Sequence, residues 1–253
     1  MSGALGGAVR AVRRLAGTGV LAAEASRRLR RESSPEGEPS QSRAAALHQI
    51  CREVLALHGL RVEVEGSPPA GPALLASNHV SWLDPLVVAS LLPCVPISKL
   101  DVSDWPVVGS LARGLGVIFV RRGDPRSGAA VLRGAAAALS HGLPVLNFPE
   151  GTTTPGRVVL PFRRGIFGLA RRAGVPVVPV TVRCDRADLA WVGEETFLPH
   201  YLRLAASPGC RILVTFGRAI APSAHSSADA LARAARDQIA DRLGEPHVAA
   251  AGA

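Results

Sequence analysis

The sequence predicts an α/β fold: a largely parallel sheet flanked by helices on both faces, with a helical N-terminal segment. Two observations carry this. Short apolar runs alternate with stretches of helical periodicity, the pattern of strand–helix–strand units. The 253 residues also suffice to bury one substantial core.

The elements follow in chain order. Residues 1–31 hold seven arginines against one acid, Glu24, and Val9, Val12, Leu15 and Ala16 share a helical face. Three readings of this segment stand open: an interfacial helix, a transit peptide and a solvated basic tail. Residues 32–42, rich in Ser, Pro and Glu, read as a flexible linker. A helix over 44–58 is closed by Gly59, and strands follow at 60–64 and 73–77. Further strands are expected at 95–98, 117–121, 144–148, 177–182 and 211–216, with helices at 82–92, 106–113, 127–141, 165–173 and 227–243. The organisation is a basic N-terminal segment and linker (1–43), a folded α/β domain (44–245) and a short C-terminal tail (246–253).

Composition narrows the function. The net charge of +9 rests on arginine, since Lys99 is the only lysine. Such a balance suits nucleic acid, anionic membrane or phosphorylated ligands. The few aromatic residues are not interleaved with the basic clusters, which argues against a nucleic-acid stacking platform. Cys51, Cys94, Cys184 and Cys210 are widely spaced, so neither a zinc site nor a disulfide framework is indicated, and reduced thiols in a cytoplasmic protein are expected. Nowhere is there an uninterrupted apolar run of about 18 residues, the length a spanning helix needs.

The chemistry concentrates in Asn78-His79-Val80-Ser81-Trp82-Leu83-Asp84, where an apolar strand ends and a helix begins. On a continuous helix His79 and Asp84 would lie roughly 140° apart, so they converge only if the chain turns between them. Converged, they make a base and its orienter. Ser81 and Asp84 also fit a capping box, in which the carboxylate reaches back to a backbone amide.

His-x4-Asp in this setting resembles the first motif of the glycerolipid acyltransferases, which include the lysophosphatidic acid acyltransferases. Three further segments match the same family in order: Gly116-Val117-Ile118-Phe119-Val120-Arg121-Arg122, Phe148-Pro149-Glu150-Gly151-Thr152, and Val175-Pro176-Val177-Val178-Pro179-Val180. Pro161-Phe162-Arg163-Arg164-Gly165-Ile166-Phe167 resembles the family segment that leads into a helix. Two positions depart from the pattern. Thr153 stands where an arginine is frequent, and Arg121 stands where the second motif usually carries an acid.

The resemblance implies a glycerol-3-phosphate acyltransferase-like fold and O-acyl transfer from an acyl thioester to a lysophospholipid, foremost 1-acyl-sn-glycerol-3-phosphate. It makes His79 the general base, Asp84 its orienter, and Arg122, Glu150, Gly151, Thr152 and Pro179 substrate-binding residues. Glu150 as a turn cap and Arg121–Arg122 as a solvated strand end are the structural alternatives. Acyl-CoA or acyl carrier protein is the implied donor, with no resident cofactor or metal and no nucleic acid. An anionic membrane surface is the expected partner, at its cytoplasmic face. A different lysolipid such as lyso-ornithine lipid, or non-catalytic lipid binding on the same scaffold, are the alternative functions. The remaining histidines, including His58 and His200, are expected to be structural or exposed.

Overall fold

The computed structural model describes residues 2–30, 38–193 and 195–244; most of the expected linker (32–37) and the tail (246–253) lie outside them. In chain order the elements are α1 (Ser2–Leu29), α2 (Gln41–His58), β1 (Leu60–Glu65), β2 (Leu74–Ser77), α3 (Asp84–Ala89), β3 (Val95–Lys99), α4 (Val108–Gly114), β4 (Ile118–Val120), α5 (Pro125–Ser140), β5 (Val145–Asn147), α6 (Gly165–Ala173), β6 (Val177–Cys184), α7 (Phe197–Ala206), β7 (Cys210–Phe216) and α8 (Ala228–Leu243), with short 3-10 turns at Leu100–Asp104, Ala187–Leu189 and Pro222–Ala224.

The seven strands form one sheet in the order β1-β7-β6-β2-β5-β3-β4. All pairings are parallel except β6 with β7, so the expected parallel sheet is interrupted once. The cause is α7, which the sequence reading did not identify. It returns the chain to the same end of the sheet, so β7 enters in reverse. Its pattern was masked by Pro199, which sits in the first turn, where a missing amide costs little.

β2 is buried on both faces, and alternate residues feed two cores. Leu75 joins Leu146, Val178, Val180 and Ile212 beneath α2, α3 and α7. Leu74 and Ala76 join Val145, Val95 and Val177 beneath α5, α6 and α8, whose inward residues include Ala135, Phe167 and Leu231. α2 shows how locally this is encoded. Ala44, Leu47, Cys51, Leu55 and His58 recur at helical spacing on its buried side, Ser40 caps its start by accepting the Arg43 amide, and Gly59 ends it at φ 68°.

The basic N-terminal segment is helical through Leu29 and docked. α1 packs on α2, α4 and α7, so the solvated-tail reading does not describe it. Arg14 is the anchor. Its buried guanidinium donates to the carbonyls of Leu57, Leu204, Ala205 and Ser207, which lie at or near the C-termini of α2 and α7. A cation there satisfies orphan carbonyls and meets the negative ends of both helix dipoles. Burial, then Arg10 and Arg13, pulls its pKa down from the ordinary arginine value. Arg14→Ala removes the shared donor and strands those carbonyls, at a cost of about 2–3 kcal/mol. Urea unfolding should show that loss in the midpoint, whereas Arg13→Ala on the exposed side should leave it nearly unchanged.

Candidate active site

Strands β2, β5, β3 and β4 run parallel and lie side by side, so the segments that follow them collect along one edge of the sheet. This is the carboxyl edge, where ligand sites of α/β folds form. The first and third motifs follow adjacent strands. The second motif contains β4, so that its Arg121 and Arg122 follow a strand three places from β2, or roughly 14 Å at ordinary strand spacing.

The chain leaves β2 through Asn78, whose side-chain amide donates to the Val182 carbonyl and accepts from the Val182 amide. That pair imitates a strand pairing with β6 and fixes where the turn begins. Residues 80–83 then turn, and α3 starts at Asp84 rather than at Trp82 as expected, ending at Ala89. The turn brings the two candidate residues together: His79 Nδ1 lies 2.8 Å from Asp84 Oδ2.

The same Asp84 oxygen accepts the backbone amides of Val80 at 2.6 Å and Ser81 at 2.8 Å. The reach-back to an amide expected of the capping box is therefore present alongside the histidine contact. Asp84 is buried and ionically partnered only by His79 among the described residues. A carboxylate oxygen can only accept, so Nδ1 carries the proton and Nε2 presents its lone pair. Ser81 Oγ accepts the Leu83 amide and is buried.

The third motif braces this loop. Glu150 is buried; its Oε1 accepts the His79 amide at 2.8 Å and its Oε2 accepts the Leu160 amide at 2.9 Å. That makes Glu150 a positioning residue for His79, bridging two segments rather than capping a local turn. Phe148 stacks on the imidazole, with centroids 4.2 Å apart. Gly151 sits at φ 75°, and a Cβ there would come within 2.9 Å of the Arg163 guanidinium carbon. Thr152 is exposed, and Thr153 donates its hydroxyl to the Trp191 carbonyl at 2.5 Å.

Arg122 is exposed at the end of β4. Protein mass around its head, then the charge of Arg163, hold its pKa below the ordinary value, with Asp101 opposing. Asp101 is ion-paired to Lys99, whose hydrogen bond lowers the carboxyl's pKa. Among the described residues neither Arg122 nor Arg163 makes an ion pair. Arg163 belongs to the segment 161–167 that leads into α6, and it is the arginine that the Gly151 backbone leaves room for.

Pro179 is placed elsewhere. It is buried inside β6, opposite Ala76, in the interior of the sheet rather than at an edge. Its carbonyl accepts the Gly217 amide where the register with β7 slips, between the Val177–Ile220 bridge and the Val180–Phe216 pair. A bulge tolerates a residue with no amide hydrogen.

Sequence reasoning also missed the wall behind the loop. Trp82 donates its indole N–H to His200 Nδ1 at 3.0 Å, and His200 Nε2 lies 3.2 Å from the Leu189 carbonyl. Trp105, Trp191, Phe197 and Tyr201 complete this aromatic cluster, and the Trp191 amide donates to the Val80 carbonyl. Its members are scattered in sequence, so no motif announces it.

For a metal, the described residues offer one three-donor group, Cys184, Asp185 and Cys210. Asp185 there accepts the Arg211 amide and faces the Arg211 side chain, and a guanidinium beside the donors opposes a cation.

A family model described as Acyltransferase matches residues 60–183. A lyso-ornithine lipid O-acyltransferase of Rhizobium meliloti is 33% identical over 211 residues, covering 74% of this chain and 72% of its own. The chain belongs to the acyltransferase family. A 1-acyl-sn-glycerol-3-phosphate acyltransferase of Neisseria meningitidis is 33% identical over 168 residues, covering 66% of this chain and 64% of its own. The crystal structure of the 1-acyl-sn-glycerophosphate acyltransferase PlsC of Thermotoga maritima shares the fold, with a TM-score of 0.70 over 93% of this chain and 94% of that one at 21% identity. The protein is thus an acyltransferase enzyme, and the fold expected from sequence is the fold observed.

His200 gives this wall a pH dependence. Burial, then Arg203, depresses its pKa below 6.5. An unfolded chain protonates His200 first, so the stability this imidazole contributes is present above about pH 6.5 and lost as pH falls toward the depressed value. Replacing His200 with Gln should flatten the acid limb of the unfolding free energy measured from pH 7.5 downward.

Proposed function

We propose that this enzyme transfers a fatty acyl group from an acyl thioester, of CoA or acyl carrier protein, to the free hydroxyl of a lysophospholipid. The reading is carried by one observation: Asp84 holds the Nδ1 proton of His79, leaving Nε2 as a fixed acceptor at the open edge of the sheet. Nε2 takes the proton of the acceptor hydroxyl as its oxygen attacks the thioester carbonyl. Asp84 stabilises the imidazolium that results. Collapse of the tetrahedral adduct expels the thiolate, which takes the proton back from Nε2. The sequence of steps needs no acyl-enzyme, and the engaged hydroxyl of Ser81 fits that.

The acceptor we favour is 1-acyl-sn-glycerol-3-phosphate, giving phosphatidic acid. Lys99, Arg122 and Arg163 place three cations near the acid Asp101, and a dianionic phosphomonoester suits two guanidiniums that make no ion pair among the described residues and can bind phosphate in a bidentate fork. Gly151 lets the backbone approach. A second reading is lyso-ornithine lipid, whose carboxylate would meet the same pair. Thr153, whose hydroxyl is spent on Trp191 where an arginine is frequent, favours it, as does the Rhizobium relative.

The site would work at a membrane, on its cytoplasmic face. No helix among the described residues is long and apolar enough to cross one. α1 instead exposes Leu5, Val9, Val12 and Val20 on one side, with Val9 61% and Val12 67% exposed, between arginines such as Arg10 and Arg13. Leu198 and Leu202 of α7, which packs on α1, are exposed as well. Apolar side chains ringed by guanidiniums suit an anionic bilayer surface.

Thioester release against a lysolipid panel tests the function. His79→Ala should lower turnover by about 10²- to 10⁴-fold in a protein that still folds, and Asp84→Asn should cost much of the rate. Near-wild-type turnover by a folded His79→Ala variant contradicts the mechanism. Arg122→Ala and Arg163→Ala should each raise the KM for a phosphomonoester acceptor and cut kcat/KM by roughly 10- to 150-fold, with thioester KM nearly unchanged. Equal losses with an acceptor that has no phosphate would favour the second reading.

Because Arg14 anchors α1, membrane attachment is tested by exposed substitutions rather than truncation. The double variant Val9→Glu, Val12→Glu should weaken binding to anionic vesicles by more than about tenfold, since two valines no longer transfer from water. Acylation of a short-chain soluble acceptor should persist. Wild-type binding that does not weaken with added salt would contradict the electrostatic part of this attachment.

A further inference from the structure

Cys184 ends β6 and Cys210 begins β7, and these strands are antiparallel neighbours. Their Sγ atoms lie 3.4 Å apart and share a hydrogen bond. Cys184 is partly exposed, while Cys210 is buried. We propose that this pair is a reactive dithiol, a modification site that takes a low-molecular-weight disulfide and closes to an internal disulfide between Cys184 and Cys210.

The surroundings divide the labour between the two sulfurs. The hydrogen bond with Cys210, and after it the Arg186 backbone amide, hold the Cys184 thiol below its ordinary value despite burial, Asp185 and Asp84. Cys184 is therefore the nucleophile and, being the more exposed, the one a reagent reaches. The same hydrogen bond, then burial and the Cys184 charge, push Cys210 up. Once Cys184 is capped, its charge and the shared hydrogen bond no longer hold Cys210 up, and burial and Asp185 are what still oppose its ionisation. The other two cysteines are internal controls. Cys51 and Cys94 are fully enclosed, and burial pushes the Cys94 thiol up to about 12.

In the first step the Cys184 thiolate attacks one sulfur of R–S–S–R, forming a mixed disulfide and releasing R–S⁻. Cys210 then loses its proton and attacks the Cys184 sulfur, forming the internal disulfide and expelling the second R–S⁻. Two protein thiols are oxidised by two electrons, and the reagent disulfide is reduced to two thiols. The sulfurs need to close from contact distance to bond length, about 2 Å, at the end of a strand where the ladder has only Asp185 left to hold.

Position gives the site its consequence. Cys184 lines a narrow void of about 20 Å³ together with Val80, Ser81, Leu83 and Asp84. A bulky adduct on Cys184 presses on the loop that holds His79, whereas an internal disulfide occupies no more room than the two thiols did. Cys210 thus clears adducts from the wall of the active site.

Oxidised glutathione is the probe, applied to the folded full chain, with thiols then alkylated and the protein weighed and peptide-mapped. Wild type should lose two thiols and yield the crosslinked Cys184–Cys210 peptides. Cys210→Ser should instead accumulate glutathione on Cys184, and Cys184→Ser should leave Cys210 alkylatable. Acyl transfer should survive treatment in wild type and fall in treated Cys210→Ser, with reductant restoring it. The proposal is overturned if wild type stops at the mixed disulfide, if its thiols all survive, or if adducted Cys210→Ser keeps full activity. The mass readout is independent of acyl transfer, so it stands or falls separately from the proposed function.

Discussion

One carboxylate oxygen organises this site. Asp84 Oδ2 receives the His79 ring proton and the amides of Val80 and Ser81, and all three donors reach it only because the chain turns between β2 and α3. Two backbone amides and an imidazole on one buried oxygen compensate its lost hydration; without them a buried carboxylate would cost several kcal/mol. Structure and chemistry are therefore not separable at Asp84. The contact that shapes the turn also sets the tautomer of His79.

The remainder of the site serves that turn from neighbouring strands. Glu150, after β5, holds the His79 amide, and Asn78 ties the exit of β2 to β6. Parallel pairing of β2 with β5 and β6 is what brings these side chains within reach. Strand order then sets the distance from His79 to Arg122, which lies three strands away past the end of β4.

Much of this was legible in the sequence because it is local. The spacing of His79 and Asp84 demanded a turn, and the turn is there. Helix bounds such as Gly165–Ala173 and the Gly59 stop follow from periodicity and from the glycine that a left-handed cap requires. What escaped was tertiary. β7 runs antiparallel because of α7, whose early proline hid its periodicity. His200 and Trp82 are 118 residues apart, and the Arg163 guanidinium over Gly151 appears only when two loops meet. Arg14 looked like one more charge in a basic segment, and its burial depends on the carbonyls of two distant helix ends. Glu150 was legible as a residue but not as a brace, since its partner amide belongs to another motif.

The central claim is that His79 activates the acceptor hydroxyl directly. A rapid-mixing measurement of thiol release from the acyl thioester, with and without lysolipid, tests it most directly. Direct transfer predicts thiol release only when lysolipid is present, in step with acylated product and with no burst. A stoichiometric burst of thiol in the absence of lysolipid, leaving acyl group on the protein, would contradict it.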